Sequence, residues 1–262
     1  MPLIYDGEVI HSARDEFGPV EIVDEATSRT MHFGSRARQT TMFLNDSKAL
    51  ALSYTRCMLS GLLFAPAPRS VLILGLGGGA LVRFIRYYLP QCRIAVVEKR
   101  ALVVALARKY FALPEDENFA LHVEPAEVFL GAGHVDRYDW ILVDLHNHDG
   151  MAPALAQPDF FTRCRSLLDG QGILAVNLWT GDRESLLKSI HRALRRSFDD
   201  AVLHLPVSRK RNTVAFGFDF PRPSFEVRSA RRTAMDLEAE YGGVEFSQFL
   251  RDLLASNPGL VH

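Results

Sequence analysis

Gly75-Leu76-Gly77-Gly78-Gly79 follows directly on the apolar run Val71-Leu72-Ile73-Leu74. Glycines at a strand-to-helix turn let backbone approach a ligand closely, and the helix that follows presents unpaired N–H groups. The same glycines would also serve a tight turn needed only for packing, but the strand–turn–helix context favours contact with a cofactor. Glu98 closes the next apolar run, roughly 20 residues further on, where a carboxylate can accept both hydroxyls of a ribose. Asp144 closes Tyr138-Asp139-Trp140-Ile141-Leu142-Val143-Asp144, a strand expected beside the first, and so belongs to the same crevice. The plainer alternatives are a solvated strand-end acid at 98 and a loop-capping acid at 144. Taken together, the three features predict a site for a nucleoside-type cofactor at the carboxyl ends of parallel strands.

Other chemistries find less support. His146, His148 and Asp149 stand close together after Asp144, but no further cluster with ligand spacing accompanies them, so a polar loop is expected and no metal. No Gly-x-Ser-x-Gly occurs to mark an activated serine. Arg192, Arg195, Arg196 and Arg209-Lys210-Arg211 are interleaved with Asp199 and Asp200, the pattern of a solvated face. Cys57, Cys92 and Cys164 are widely spaced and form no Cys-x-x-Cys, as expected of reduced thiols in the cytoplasm.

The elements that must position these residues follow from the hydrophobic pattern. Residues 1–65 carry short β-like pieces, Val20-Glu21-Ile22-Val23 and Thr30-Met31-His32-Phe33, broken by Gly7, Gly18-Pro19 and Gly34. They predict a small antiparallel unit. Asn45-Asp46-Ser47 offers a cap for a linking helix that runs to Phe64 and stops before Pro66 and Pro68. Residues 66–222 alternate strand and helix, with strands at 71–74, 94–97, 119–123, 138–144 and 173–178. Leu81, Phe84, Ile85 and Tyr88 mark the first helix, and Gly170 is expected to close the helix of Phe160, Phe161 and Cys164. Two last strands, near 201–205 and 213–218, flank a turn and should pair antiparallel. Residues 223–262 read as a helical tail. The fold class expected is α/β, a doubly wound and mainly parallel sheet with a small N-terminal antiparallel β unit.

Bulk properties set outer limits. The 262 residues are 48% hydrophobic and 23% charged, with a net charge of −1, which argues for an ordinary globular chain and against a nucleic-acid partner. Apolar runs reach only about five or six residues, far short of the roughly 20 of a spanning helix, so no membrane role is expected. No basic-then-apolar leader opens the chain.

The order of these parts resembles the spermidine synthase family, the polyamine aminopropyltransferases, over roughly residues 5–220. A small β unit with Gln39 leads through a helix with Tyr54 into the glycine turn. An acidic end to the second strand and a Tyr-Asp-x-Ile-x-x-Asp fourth strand follow. The resemblance implies a seven-stranded class I methyltransferase-like Rossmann fold and a donor of the S-adenosylmethionine type, decarboxylated in true synthases. It also implies a small-molecule acceptor such as a polyamine, and a homodimer or homotetramer. Carried over residue by residue, it implies that Gln39, Gly75, Gly77, Gly78, Glu98, Glu124 and Asp144 contact the cofactor. Tyr54 and Asp144 would meet the acceptor, and Asp144, Asn147 and Asp149 stand at or beside the catalytic base.

Four departures from the family pattern bear on the reaction. Gly78 stands where the family has the aspartate that holds the aminopropyl ammonium. Asn147 stands where it has the carboxylate that receives the proton, and an amide cannot accept one. The family's Tyr-His-Glu is Tyr54-Thr55-Arg56, and Pro125 takes the place of the acid that meets adenine, with Glu124 or Glu127 beside it. Three readings follow: a spermidine synthase-like transferase, a small-molecule methyltransferase on the same fold, and a non-catalytic nucleoside-binding or assembly protein. The first is the leading expectation.

Overall fold

The computed structural model describes residues 5–133, 135–147, 150–179, 181 and 184–261, and the backbone alone for Asn147. Four antiparallel strands come first: β1 (Glu8–Asp15), β2 (Gly18–Asp24), β3 (Ser28–His32) and β4 (Arg38–Phe43), paired in chain order. Helix α1 (Ser53–Met58) continues into a 3-10 turn, Leu59–Leu63. Strand and helix then alternate through β5 (Ser70–Leu74), α2 (Ala80–Tyr88), β6 (Arg93–Val97), α3 (Ala101–Tyr110), β7 (Phe119–His122), α4 (Ala126–Gly131) and β8 (Tyr138–Val143). A short hairpin of β9 (His146–Asn147) and β10 (Gly150–Met151) precedes α5 (Phe160–Ser166), β11 (Leu168–Trp179) and α6 (Glu184–Ser197). The chain finishes with β12 (Val202–Pro206), β13 (Asn212–Phe218), α7 (Val227–Glu240) and α8 (Phe246–Ser256).

The main sheet has seven strands in the order β12-β13-β11-β8-β5-β6-β7. Pairing is parallel from β11 through β8, β5, β6 and β7, and β13 alone runs against its two neighbours. This is the doubly wound α/β architecture expected from the alternating pattern, antiparallel closing pair included. Every residue of β5 is buried, as a central strand covered on both faces must be. Alternate residues point to opposite layers. Val71 and Ile73 pack with Leu81, Phe84 and Phe246, so the tail helix α8 helps cover that face. Leu72 and Leu74 pack on the other side with Phe129, Phe161 and Ile190. A third cluster joins the first four strands to α3, where Val20, Ile22 and Met31 meet Val103, Leu106 and Phe111.

Three local expectations need correction. Asn45-Asp46-Ser47 caps no helix: α1 begins only at Ser53, with Leu52 at its cap position and no side-chain cap. The segment is committed elsewhere, since the Ser47 carbonyl accepts from Arg83 Nε at 2.7 Å and Lys48 pairs with Asp46 at 2.9 Å. Gly170 closes no helix either. Helix α5 ends at Ser166, and Gly170, at φ 88°, sits inside β11 where its register against β8 shifts between Leu168 and Ile173. Finally, Val123 falls outside β7 and is 51% exposed, so that strand is one residue shorter than the apolar pattern suggests.

Candidate active site

Three strand ends define the floor. The Gly75 amide donates to the Val97 carbonyl at 2.8 Å, the Glu98 amide to His122 at 3.0 Å, and the Asp144 amide to Leu74 at 2.9 Å. The sheet therefore sets Glu98, Gly75 and Asp144 side by side at the carboxyl ends of β6, β5 and β8. Above them lies a cavity of about 760 Å³, roofed by the β3–β4 region and lined by Gln39, Tyr54, Gly75, Gly77, Glu98 and Asp144. Its volume lies within the ordinary range for a small-molecule site.

The glycine turn is shaped by backbone demands. Gly75, Gly77 and Gly79 have φ of 100°, 52° and 72°, a region that favours glycine. Gly78 does not share that conformation, and it does not line the cavity. A Cβ built there would lie 2.6 Å from Thr40 Cγ2 and 2.9 Å from Phe111 Cδ1. The expectation that Gly78 faces the crevice is therefore corrected: its side-chain direction is occupied by packing. Arg83 holds the turn from behind. Only 5% exposed, it donates through Nη1 to the Gly78 carbonyl and to Phe111 O at 2.7 Å. Burial lowers its pKa to about 10, which leaves it charged at neutral pH.

Glu98 is held by backbone. Its Oε2 accepts from the Leu76 amide at 3.1 Å and its Oε1 from the Arg100 amide at 2.9 Å. Burial raises its pKa, and the two N–H groups work against that rise. The carboxylate is thus fixed in place with lone pairs left for a pair of hydroxyls. Beside it, the Arg100 guanidinium pairs with Asp15 at 2.7 Å and lies 4.5 Å from the Phe33 ring centre, which ties the N-terminal strands to the cavity wall.

Asp144 is the best-supported side chain of the site. Oδ2 accepts from Tyr54 at 2.8 Å, Oδ1 accepts from Asn177 Nδ2 at 2.9 Å, and His146 Nδ1 stands 3.2 Å from Oδ1. Asn212 Nδ2 in turn donates to Asn177 Oδ1 at 2.9 Å, extending the chain of hydrogen bonds to the far strand. Burial alone would raise the Asp144 pKa, but the hydrogen bonds and charge of His146, with Asn177 and Tyr54, outweigh it and hold the group below its ordinary value. Tyr54 moves the other way: burial first, then the neighbouring anion, push its phenol well above the usual range. Asp144 is consequently a persistent anion and a weak proton acceptor at neutral pH.

Of the residues singled out in the sequence, the structure brings Gln39, Tyr54, Gly75, Gly77, Glu98 and Asp144 to one cavity. Glu124 lies between β7 and α4, partly buried, and does not line it. Asn147 enters β9, with its side chain outside the described residues; His148 and Asp149 are outside them altogether. Asn177, Asn212 and Trp179 line the cavity beyond Asp144 without having been singled out in the sequence, and His146, expected only in a polar loop, lines it as well. An amide inside the apolar run Ile173–Leu178 was the available signal for Asn177. Lys210, expected on a solvated basic face, is exposed but also lines the cavity. Among the described residues no group of three or more metal-ligating side chains comes together, and no helix is long and apolar enough to cross a membrane. Cys57, Cys92 and Cys164 are buried and unpaired.

Comparison with known proteins agrees with this architecture. The spermine/spermidine synthase domain pattern matches residues 53–203. A polyamine aminopropyltransferase of Chromobacterium violaceum is 33% identical over 252 residues, covering 95% of this chain and 94% of that protein. A probable spermidine synthase from Corynebacterium glutamicum superposes with a TM-score of 0.73 at 18% identity, covering 91% of this chain and 95% of that one. Human methyltransferase-like protein 13, solved in complex with SAH, superposes with a TM-score of 0.65 at 23% identity, covering 73% of this chain and 93% of its own.

Proposed function

The chain belongs to the spermine/spermidine synthase family, and from that premise we propose that it is a transferase moving an alkyl group from a sulfonium nucleoside to a small-molecule acceptor. The family reaction, aminopropyl transfer from decarboxylated S-adenosylmethionine, is the leading form. The observation that carries this reading is the alignment of Glu98, Gly75 and Asp144 at neighbouring strand ends in one cavity. In it, Glu98 accepts the ribose hydroxyls, Gly75 and Gly77 let the nucleoside lie against backbone, and Gln39 faces it from the N-terminal strands. Asp144 and Tyr54 stand at the reacting centre. An acceptor lone pair forms the new bond to the carbon beside sulfur as the carbon–sulfur bond breaks. The bonding pair leaves with sulfur, giving a neutral thioether; an amine acceptor supplies its lone pair only after its ammonium has passed a proton to solvent water, and the alkylated product carries the positive charge away. Asp144 serves as charge partner and orienting group, because a carboxylate held below its ordinary pKa is a poor base. Most of the rate enhancement would come from holding the two reactants in line.

Methyl transfer from S-adenosylmethionine is the second form, favoured by one observation. Position 78 supplies no carboxylate for a donor ammonium, and Thr40 and Phe111 fill the space where one would stand. Calorimetric titration with S-adenosylmethionine, its decarboxylated form and methylthioadenosine separates the cases. Binding of methylthioadenosine with the decarboxylated donor supports aminopropyl transfer, and preference for S-adenosylmethionine supports methyl transfer. Binding of none of the three would defeat the transferase reading.

A further inference from the structure

The sheet lays the cavity out along one axis. Glu98 marks the end of β6, Gly75 the end of β5, and Asp144 the end of β8. Continuing in the same direction, Asn177 and Trp179 belong to β11, and Asn212 opens β13 after the turn that carries Lys210. Because β13 runs antiparallel to β11, its start lies at the same edge as the ends of the parallel strands. Adjacent strands are about 4.8 Å apart, so the stretch from Asp144 to the β13 end spans roughly 10 Å. With the nucleoside at the β6–β5 end, this second half is where an acceptor lies.

The chemistry of that half is unlike a diamine site. A diamine is doubly cationic at neutral pH and needs a carboxylate near each end. Beyond Asp144 the described lining offers Asn177, Trp179, Asn212, Gly150 and His146, and no acid. Asp144 itself already takes Tyr54 on one oxygen and Asn177 on the other, with His146 beside it. At the far end stands Lys210, exposed, on a turn pinned by Val207 and Asn212 backbone hydrogen bonds at 2.9 and 3.0 Å. Of the other lining cations, Arg38, Arg56 and Arg100 are each matched by an acid, namely Glu25, Glu245 and Asp15, and Lys99, at the nucleoside end beside Glu98, lies over the Phe17 ring at 4.7 Å. Lys210 has no acidic partner among the described residues.

We propose that the acceptor is a linear molecule with its nucleophile at Asp144 and an oxyanion, a carboxylate or a phosphate, at Lys210. The inference rests on the transferase reading, since it takes the β6–β5 half as the nucleoside end. A cation at the end of a channel whose described lining beyond Asp144 holds no acid repels the second ammonium of a diamine and attracts an anion of the same length. Trp179 and the amides of Asn177 and Asn212 cover the chain between.

The test is calorimetry on the full chain saturated with methylthioadenosine, using 6-aminohexanoate, 4-aminobutyl phosphate and 1,5-diaminopentane as probes. At least one anionic probe should bind about tenfold more tightly than the diamine. The stronger of the two identifies the oxyanion. Lys210→Glu should erase or reverse that preference, whereas Arg209→Glu, on the same turn but outside the cavity lining, should leave it unchanged. Equal or tighter binding of the diamine overturns the proposal. So does a preference that survives Lys210→Glu, or the failure of every probe on protein that has taken up methylthioadenosine. Protein that takes up no methylthioadenosine refutes the transferase reading itself, and this inference with it.

Discussion

Gly75 and Asp144 meet backbone to backbone: a Cβ on Gly75 would stand 2.3 Å from the Asp144 carbonyl oxygen. The glycine turn and the acid of the reacting centre are therefore positioned by one contact, and neither can move alone. Gly75→Ala adds both that collision and the cost of a side chain at φ 100°. It should destabilise the protein by about 2–3 kcal/mol in denaturant unfolding. Methylthioadenosine affinity should fall in whatever fraction remains folded. An alanine variant as stable as the parent would refute the contact.

Glu98→Ala tests the ribose assignment. Removing an acceptor of charged hydrogen bonds should weaken methylthioadenosine by roughly 1–3 kcal/mol in calorimetry. The variant should also melt earlier, because the Leu76 and Arg100 amides lose their partner. Unchanged affinity in a folded variant would move the ribose elsewhere.

Gly78→Asp is expected to disappoint anyone restoring the family motif. With Thr40 and Phe111 in the way, the substitution should cost about 1–3 kcal/mol of stability. It should introduce no aminopropyl transfer, alone or combined with Asn147→Asp. Activity gained by the double variant, followed by product formation from the decarboxylated donor, would show that the packing yields.

Acid should expose a different weakness, at His204. Burial first, then His191, Arg195 and Arg222, lower its pKa from 6.5 to about 4, and its Nδ1 has no hydrogen-bond partner among the described residues. Between those values the unfolded chain binds more protons than the folded one, so this residue makes stability rise with pH. Its contribution is complete above about pH 6.5 and is lost as pH falls toward 4. His204→Leu should flatten that part of the stability–pH curve measured by thermal melts. A curve of unchanged slope would acquit the residue.

How much of this was legible beforehand depends on the range of the interaction. Glu98 and Asp144 announced themselves because strand ends in a parallel sheet are fixed by local apolar runs, and the sheet aligns them. Tyr54 and Gln39 were reached only through family likeness, since nothing local brings α1 and β4 over the glycine turn. Gly78 misled because sequence order shows which residue occupies a turn but not where its Cβ points; Thr40, thirty-eight residues earlier, decides that. Lys210 looked like one basic residue among many, and only the antiparallel return of β13 places it at the cavity. The helix start was missed for a similar reason. Asn45-Asp46-Ser47 has the composition of a cap, but Arg83 claims the Ser47 carbonyl from a distant helix.

The placement of Phe33, Arg38 and Gln39 on one wall and the strand ends on the other makes the cavity a seam between two sheets. A molecule lodged there grips both sides at once, so its binding energy adds to the packing of Val20, Ile22 and Met31 on α3. The occupant then behaves as a clasp as well as a reactant. Hydrogen exchange at the β4 amides becomes a running record of occupancy, slowing when the clasp is shut and quickening as product departs.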